Sequence, residues 1–599
     1  MRWRAFSSNV LTRVAFDESG VYTNASIVDT QVQRFDLVTE RLGPLPVVNH
    51  FLDTLGLDAL LDRFVPTTDG RCQLAYGKAL GVLVRSILVE REPIYRHHET
   101  VSTFAGEVFG LEAEQISLVG DDHLGRALDR LFDADRGTLM TELVVKMSRR
   151  FQVRLDELHN DSTTVRFTGQ YRRATSRSGR RGRAAWITYG YSKDHRPDLK
   201  QLLVVLTTSS DGAVPVAFRS ADGNTNDTTT HLETWQELCR AAGRSDFLYV
   251  ADSKLCVTEV MEEIDHGGGR FVTVLPRSRR EDGQFRRWLQ GHQVDWELVI
   301  DRPHPRRKRA PRDRWWVVRA PLPSMEGWPV IWVKSSLLAQ SQHQSRHNRI
   351  AAASEELEEL DRILLTGRGR APKTPDQIQK RIDAVVRRLR AQDYLVVEIR
   401  AEAEHRFRQT KRGRPGLQTR YQRQTRHRFR ISWHLDEEVI AHEQHSDGMY
   451  PLLTNDRSLS PRQVLDAHKR QPSIEKRFEQ LKSVHEIAPV LLKNQARIEA
   501  FFFVYFLALL VAGLIEREVR RAMEKAAIQD LPLYPEQRAC RRPTYEQVAR
   551  LFGQAQRHTL YRRGRLLEVF HPQLTPLQRQ VLQLLGVAPR AYDTKRRQA

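Results

Sequence analysis

Fifteen consecutive residues, 501–515 (FFFVYFLALLVAGLI), carry no charge and no polar group beyond the Tyr505 hydroxyl. As a helix this run would be apolar on every face, and such a helix is stable only where other apolar surface covers it. At a rise of about 1.5 Å per residue it would be about 22 Å long, short of a hydrocarbon core of about 30 Å. The run therefore reads as a buried helix, and membrane insertion is not expected.

A chain of 599 residues exceeds what one core can hold and is expected to form three or four units. Hydrophobic residues make up 40% and are spread along the whole length, which fits packed globular structure. The 95 Lys and Arg outnumber the 74 Asp and Glu, giving a formal charge of +21. A field of that sign favours a polyanionic partner, because phosphates are drawn in and their counterions released. Cys72, Cys239, Cys256 and Cys540 are far apart in sequence, with no CxxC pair, so neither a disulfide framework nor a structural zinc site is expected. A reducing cytoplasm fits this cysteine pattern, and the first residues lack the apolar stretch of a signal peptide. The GxxxxGK[ST] pattern of an ATP-binding loop is missing.

The periodicity of the chain changes at defined places. Residues 1–35 read as an extension and 36–150 as a helical region, in which Val47, Val48, Phe51, Leu52 and Leu55 recur at helical spacing until Gly56. Two short helices about a glycine resemble a helix-turn-helix, so this region is a candidate for DNA contact. From 151 to 276 the order is three strands, helix, strand, helix, strand, as expected of a mixed α/β sheet of the ribonuclease H type. Residues 277–455 interrupt that order with Arg-rich loops, short strands and a helical hairpin, and read as a strand-rich insertion. The second half of the core is placed at 456–530, where Ser460-Pro461 opens one helix and Pro472 the next, and a helical tail at 531–599.

Asp161 follows an apolar stretch (LHND) and Asp252 ends FLYVAD, placing both at the carboxyl ends of strands, where open α/β sheets hold their ligands. A third acid, Glu475, lies in IEKRFEQLK, and Lys482, seven residues on, shares its helical face to within about 20°. Clustered carboxylates repel one another unless cations neutralise them. Oxygen ligands of this kind suit Mg²⁺ or Mn²⁺, and two such ions can clamp an in-line phosphoryl displacement.

Taken together, DST (161–163), GNTND (223–227), VADSKL (250–255), DGMYPLLTN (447–455), IEKRFEQLK (474–482) and RIEAFFFVYFLALLV (497–511) resemble the DDE transposases of bacterial insertion sequences. The similar branch of the insertion-sequence-four group has a strand-rich insertion and a Tyr-x2-Arg-x3-Glu-x6-Lys signature. The resemblance runs from about residue 40 to 525. It implies that Asp161, Asp252 and Glu475 hold two Mg²⁺ or Mn²⁺ ions, that Lys482 contacts DNA, and that two copies act on paired element ends. His468 and Gln471 stand where the signature has Tyr and Arg; His468 could still stack on DNA, and Arg470 lies beside Gln471.

Three basic runs complete the picture. Residues 172–183 hold six Arg, 302–314 read RPHPRRKRAPRDR, and 406–430 hold ten Lys or Arg without an acid. Runs this long favour phosphate contact. Trp315, Trp316, Trp328 and Trp332 follow the second run and read mainly as core, and Arg412 and Arg414, in RGRP, match the core of a minor-groove hook. The expectation is a cytoplasmic transposase acting on the ends of its own element and on target DNA. A nuclease of the same fold, or a relic that binds DNA without cutting it, stands as the alternative.

Overall fold

The computed structural model describes residues 12–16, 33–90, 92–172, 174, 184–193, 195–304, 311–366, 371–485, 487 and 491–593. Strands β1 (Thr12–Phe16) and β2 (Gln33–Arg41) precede six helices: α1 (Leu45–Leu55), α2 (Leu57–Phe64), α3 (Tyr76–Val89), α4 (His97–Ser102), α5 (Asp121–Asp133) and α6 (Arg136–Phe151). Then come β3 (Glu157–Phe167), β4 (Lys200–Ser209), β5 (Pro215–Ala221), α7 (His231–Ala242), β6 (Leu248–Val250), α8 (Thr258–His266) and β7 (Arg270–Val274). The middle of the chain forms α9 (Arg280–Leu289), β8 (Glu297–Arg302), β9 (Asp313–Arg319), β10 (Val330–Ser335), α10 (Ser336–Thr366), α11 (Pro375–Arg388), β11 (Leu395–Gln409), β12 (Tyr421–Leu435), α12 (Glu437–His445) and β13 (Met449–Thr454). The last part holds α13 (Pro461–Arg470), α14 (Pro472–Glu479), α15 (Gln495–Lys525), α16 (Tyr545–Phe552), β14 (Gln556–Arg562), β15 (Arg565–Phe570) and α17 (Pro576–Leu584). These elements divide into two compact units, Met1–Val272 with Ala467–Ala599, and Thr273–Asp466.

In the first unit the strand order is β5-β4-β3-β6-β7, with β5, β4 and β3 antiparallel and β3, β6 and β7 parallel. That is the strand order of ribonuclease H-like folds, as the sequence led us to expect. Its centre is α15, 31 residues long and capped by Asn494, whose side chain accepts from the Ala496 and Arg497 amides. Extended beyond the apolar run, this helix is long and apolar enough by composition to cross a membrane, yet its most apolar window is 94% buried within the protein. It packs on α1, α3, α5, α16, α17 and β5. Phe502 stacks on Phe167 and Phe506 on Phe218, both from the sheet. The amino-terminal helices are thus drawn into the same core: α1 buries Val47, Val48, Phe51, Leu52 and Leu55, and Gly56, at φ 62°, both ends α1 and starts α2.

The carboxyl-terminal region corrects the expectation of a helical tail. Beside α16 and α17 it contains a hairpin, β14–β15, joined by Arg563 and Gly564 at φ 50° and 75°. Two residues with positive φ give the twist that a two-residue hairpin needs. This hairpin pairs with β2 in a second sheet, order β1-β2-β14-β15, where buried Arg557 bridges Glu40 and Glu107.

The second unit holds the antiparallel strands β13-β10-β9-β8 and, apart from them, the two-stranded ribbon β11–β12. Trp332 is buried and stacks on Phe285 at 4.2 Å, and Trp328 is buried too, so both serve the core; Trp315 and Trp316 are half-buried. The helical hairpin α10–α11 encloses Leu357, Leu360, Ile378 and Ile382, onto which the base of the ribbon packs through Ile431 and Leu395. The ribbon is also a correction. Residues 406–430, read in sequence as part of a loop-rich insertion, lie almost entirely in a register of fifteen paired residues per strand and the turn that joins them. Of the other two basic runs, 172–183 apart from Arg172 and Ala174, and 305–310 within 302–314, lie outside the described residues.

One polar contact ties the first unit together from inside. Arg477 on α14 and Glu516 on α15 are each 1% exposed and pair at 2.8 Å. Arg477 also donates to the Ala213 and Gly212 carbonyls at 2.7 and 3.0 Å, in the β4–β5 turn. Burial opposes the Glu516 charge, but Arg477 and Arg520, with hydrogen bonds from the Tyr545 amide and Gln480, hold its pKa low. Removing one member of such a pair strands the other, so Arg477→Ala should cost about 3–5 kcal/mol in denaturant unfolding. Arg477→Met combined with Glu516→Leu should recover much of that loss, and a double variant no more stable than the single one would contradict this account.

Candidate functional site

Strands β3 and β6 run parallel with His159 opposite Val250. Two residues further along each chain stand Asp161 and Asp252, so the register brings the two carboxylates level on neighbouring strands. Asp252 lies just past β6, as expected, and caps the turn Ser253–Leu255 by accepting from the Lys254 amide at 3.0 Å. Asp161 does not end its strand. It sits in the middle of β3, which continues to Phe167 because its other edge is paired with β4 out to Lys200.

The proximity has an electrostatic signature. Burial pushes the Asp161 pKa up to about 6, with further repulsion from Asp252 and Asp227, against the opposing pull of Lys193 and the Ser162 amide. Asp252 is raised as well, by burial first and then by Asp227, with the Lys254 amide and Lys193 acting against this. Each carboxylate is thus costly to ionise as the site stands, and a cation would relieve that cost.

Lys193 and Asp227 were not among the residues singled out from sequence. Lys193 Nζ pairs with Asp227 at 2.8 Å and donates to the Ser162 carbonyl and hydroxyl at 2.7 Å. Both arrive on segments that pass close to β4: buried Gln201 donates to the Tyr191 and Gly223 carbonyls at 3.0 and 2.8 Å. Gly190 and Gly223 allow this, since a Cβ on either would collide with backbone carbonyls, at Gly223 and at Gln201 and Thr188 respectively. Asp227 closes GNTND, so a motif did mark it, whereas nothing in the sequence around Lys193 announces its position. Asn160, next to Asp161, is held from behind by Thr207 at 2.9 Å and His231 at 3.4 Å.

Helix α14 is fastened beside this pair of strands. Gln471 donates to the Asn160 carbonyl at 2.8 Å and lies 2.9 Å from His159 Nδ1, while His159 Nε2 faces Glu157 at 2.9 Å. Arg470 grips Glu157 with two bonds of 2.6 Å. Burial alone would raise the Glu157 pKa, but the hydrogen bonds from His159 and Arg470 hold it down to about 2. Gln471 and Arg470 therefore have partners within the protein. His468 is half-buried, and its pKa is pushed down to about 4 by burial, Lys469 and His159, which keeps the ring neutral at physiological pH.

Glu475 is exposed on α14, whereas Ile474, Arg477 and Phe478 are buried. Lys482 is half-buried in a turn of π-helix, Gln480–Val484, so the straight-helix spacing that put it on the face of Glu475 does not persist to its position. Among the described residues no three His, Cys, Asp or Glu side chains are gathered closely enough to hold a metal ion. The structure thus unites Asp161 with Asp252, adds Asp227 and Lys193, and leaves Glu475 facing solvent. Arg412 and Arg414 lie in the other unit, exposed at the end of the ribbon.

Two outcomes follow. Because the folded-state pKa of Asp161 is raised, its ionisation removes stability as pH climbs from about 4 through about 6. In EDTA at pH 7.5, Asp161→Asn should be more stable than wild type by on the order of 1–3 kcal/mol, with the gap closing below about pH 4. A variant no more stable than wild type at pH 7.5 would refute the assignment of repulsion. Gln471→Ala leaves buried His159 without one partner and should lower stability by about 1–3 kcal/mol, measured by chemical denaturation; no change would mean the link is not formed.

Residues 37–145 match a family described as Domain of unknown function (DUF4277), nearly the extent of the helical region before the sheet. No curated protein matches. Among solved structures, a cryo-EM structure of piggyBac transposase in a synaptic complex with hairpin DNA is similar over 49% of this chain and 61% of that one, with 12% identity and a TM-score of 0.23. A likeness that weak bears on neither fold nor activity.

Proposed function

We propose that this chain is a DNA transposase that binds the terminal inverted repeats of its own element, hydrolyses a strand at each end and joins the freed 3′-hydroxyl to target DNA. The observation that carries the reading is the pair Asp161 and Asp252, level on neighbouring parallel strands of a ribonuclease H-ordered sheet and both raised in pKa. The motif resemblance gives that pair its chemical meaning.

In this reading Asp161 and Asp252 are ligands of Mg²⁺ or Mn²⁺, and Glu475 is the third by resemblance. The two Asp fit: hard carboxylate oxygens, partly buried and with raised pKa values, are what such ions neutralise. When bound, the ions would supply polarisation of the attacking and leaving oxygens of a phosphodiester. Lys193 acts as an internal counter-charge beside the two Asp, and the ties from Gln471 and Arg470 to β3 hold α14 at the edge of the site. Lys482, Arg412 and Arg414 are assigned to DNA, whereas Arg470, spent on Glu157, and His468, half-buried, hold the start of α14 rather than contact DNA. Two copies would act together on paired ends, in the cytoplasm and on the chromosome.

That Glu475 joins no three-acid cluster with Asp161 and Asp252 among the described residues favours a second reading, a DNA-binding relic without catalysis. Excision in cells separates the two. A plasmid carrying the gene with its native flanks should yield donor sites lacking the element for wild type, and none for Asp252→Ala or Glu475→Gln. Equal products from wild type and Asp252→Ala would remove Asp252 from the site. No product from any of them would support the relic. Cut but unjoined ends would point to a nuclease.

A further inference from the structure

The ribbon β11–β12 has more structure than its own unit uses. Its base is accounted for, since Leu395, Ile431 and their neighbours close the core of the α10–α11 hairpin. Beyond Arg400 and Arg430 it is different. From Ala401 to Arg428, through both strands and the turn between them, every residue is exposed except Glu404, Gln409 and Thr419, which are half-exposed. An isolated two-stranded ribbon is marginal in water. Here its base anchors it, and the far turn is closed by two hydrogen bonds from Thr410 to the Arg420 carbonyl.

The register sorts the side chains by face. Arg406 lies opposite Gln424, Arg408 opposite Gln422, and Glu404 opposite Arg426, which puts an Arg- and Gln-rich set on one face. The other face carries Phe407 opposite Arg423 and Tyr421 opposite Gln409, with Phe407 66% and Tyr421 51% exposed. Glu398 holds Arg400, Glu404 holds Arg406 and Arg428, and Asp361 holds Arg430; among the described residues no ion pair lies further out than Arg406. Residues 407–427 hold seven Lys or Arg and no acid. Lys411, Arg412 and Arg414 are concentrated in the turn, exposed, and among the described residues no acid pairs with them.

We infer that this ribbon is a DNA-gripping arm whose outer half lies in a groove of duplex DNA. Three physical points fit one partner. Beyond Arg406 the charge is of one sign, and among the described residues no acid pairs with it, which suits a polyanion. Nine residues of β11, 401–409, and eight of β12, 421–428, at about 3.4 Å each, give a reach of about 30 Å, a little under one turn of B-DNA. A two-stranded ribbon fits the B-form major groove, where Arg and Gln can each make paired hydrogen bonds to guanine and adenine edges. The deep, narrow major groove of A-form RNA would not admit it. The Arg–Gln face addresses the base edges, and Lys411, Arg412 and Arg414 the phosphates beyond.

The inference rests on the reading of the chain as a DNA-processing enzyme, but its test is separate. Full-length wild type, Lys411→Ala/Arg412→Ala/Arg414→Ala, and a control with equal charge loss, Lys373→Ala/Lys380→Ala/Arg387→Ala, would be titrated against a labelled duplex of about 30 base pairs at several salt concentrations. All six positions are exposed, so the melting temperatures should match. The arm variant should bind about tenfold or more weakly near physiological salt, with the slope of log affinity against log salt shallower by about 2–3, while the control behaves as wild type. Wild-type affinity and slope in the arm variant, an equal loss in the control, or equal wild-type affinity for duplex RNA would each overturn the arm. Lost affinity in the arm variant together with no excision by wild type would refute the transposase and keep the arm. Unchanged affinity with normal excision would do the reverse.

Discussion

The first unit is organised by the need to cover one helix on all sides. α15 offers apolar side chains around its whole circumference, and no single layer can cover that. The sheet supplies one side through Phe167 and Phe218, and the helices α1, α3 and α5, from the start of the chain, contribute to the rest. Sequence that would otherwise read as a separate amino-terminal module is therefore part of the same core. One buried ion pair, Arg477 with Glu516, is tolerated because it has strong partners, and it fixes α14 to both the β4–β5 turn and α15.

That fixation reaches the site. α14 is held at its start by Gln471 and Arg470 against β3, and three residues beyond Glu475 by Phe478, packed into the core. Two residues at the start of the helix thus have structural work: Gln471 bonds the strand that bears Asp161, and His468 is a half-buried neutral ring.

The acids themselves are held in tension. Asp161 and Asp252 are level and partly buried, with Asp227 adding to the repulsion and Lys193 providing the opposing charge. A binding site for cations commonly stores repulsion of this sort, because the ligand then repays it on arrival. Lys193 spends its donors on Asp227 and Ser162, so the same contacts that position it also shape the backbone beside Asp161.

Sequence alone determined what depends on local pattern. The strand and helix order from 151 to 276, the buried character of 501–515, the helix starts at Pro461 and Pro472 and the placing of Asp252 just past a strand all follow from periodicity, caps and motifs close in the chain. Tertiary structure decided what depends on distant neighbours. Lys193 reaches Asp161 only because Gly190 and Gly223 let two loops press against β4, and no pattern near residue 193 encodes that approach. The basic run 406–430 became a straight ribbon because its inner end could pack on α10 and α11. Glu475 faces solvent because Arg477 and Phe478, two and three positions along, have stronger claims on the interior. A helix can bury only one side against a sheet, and which side is settled by the partners that the rest of the fold provides.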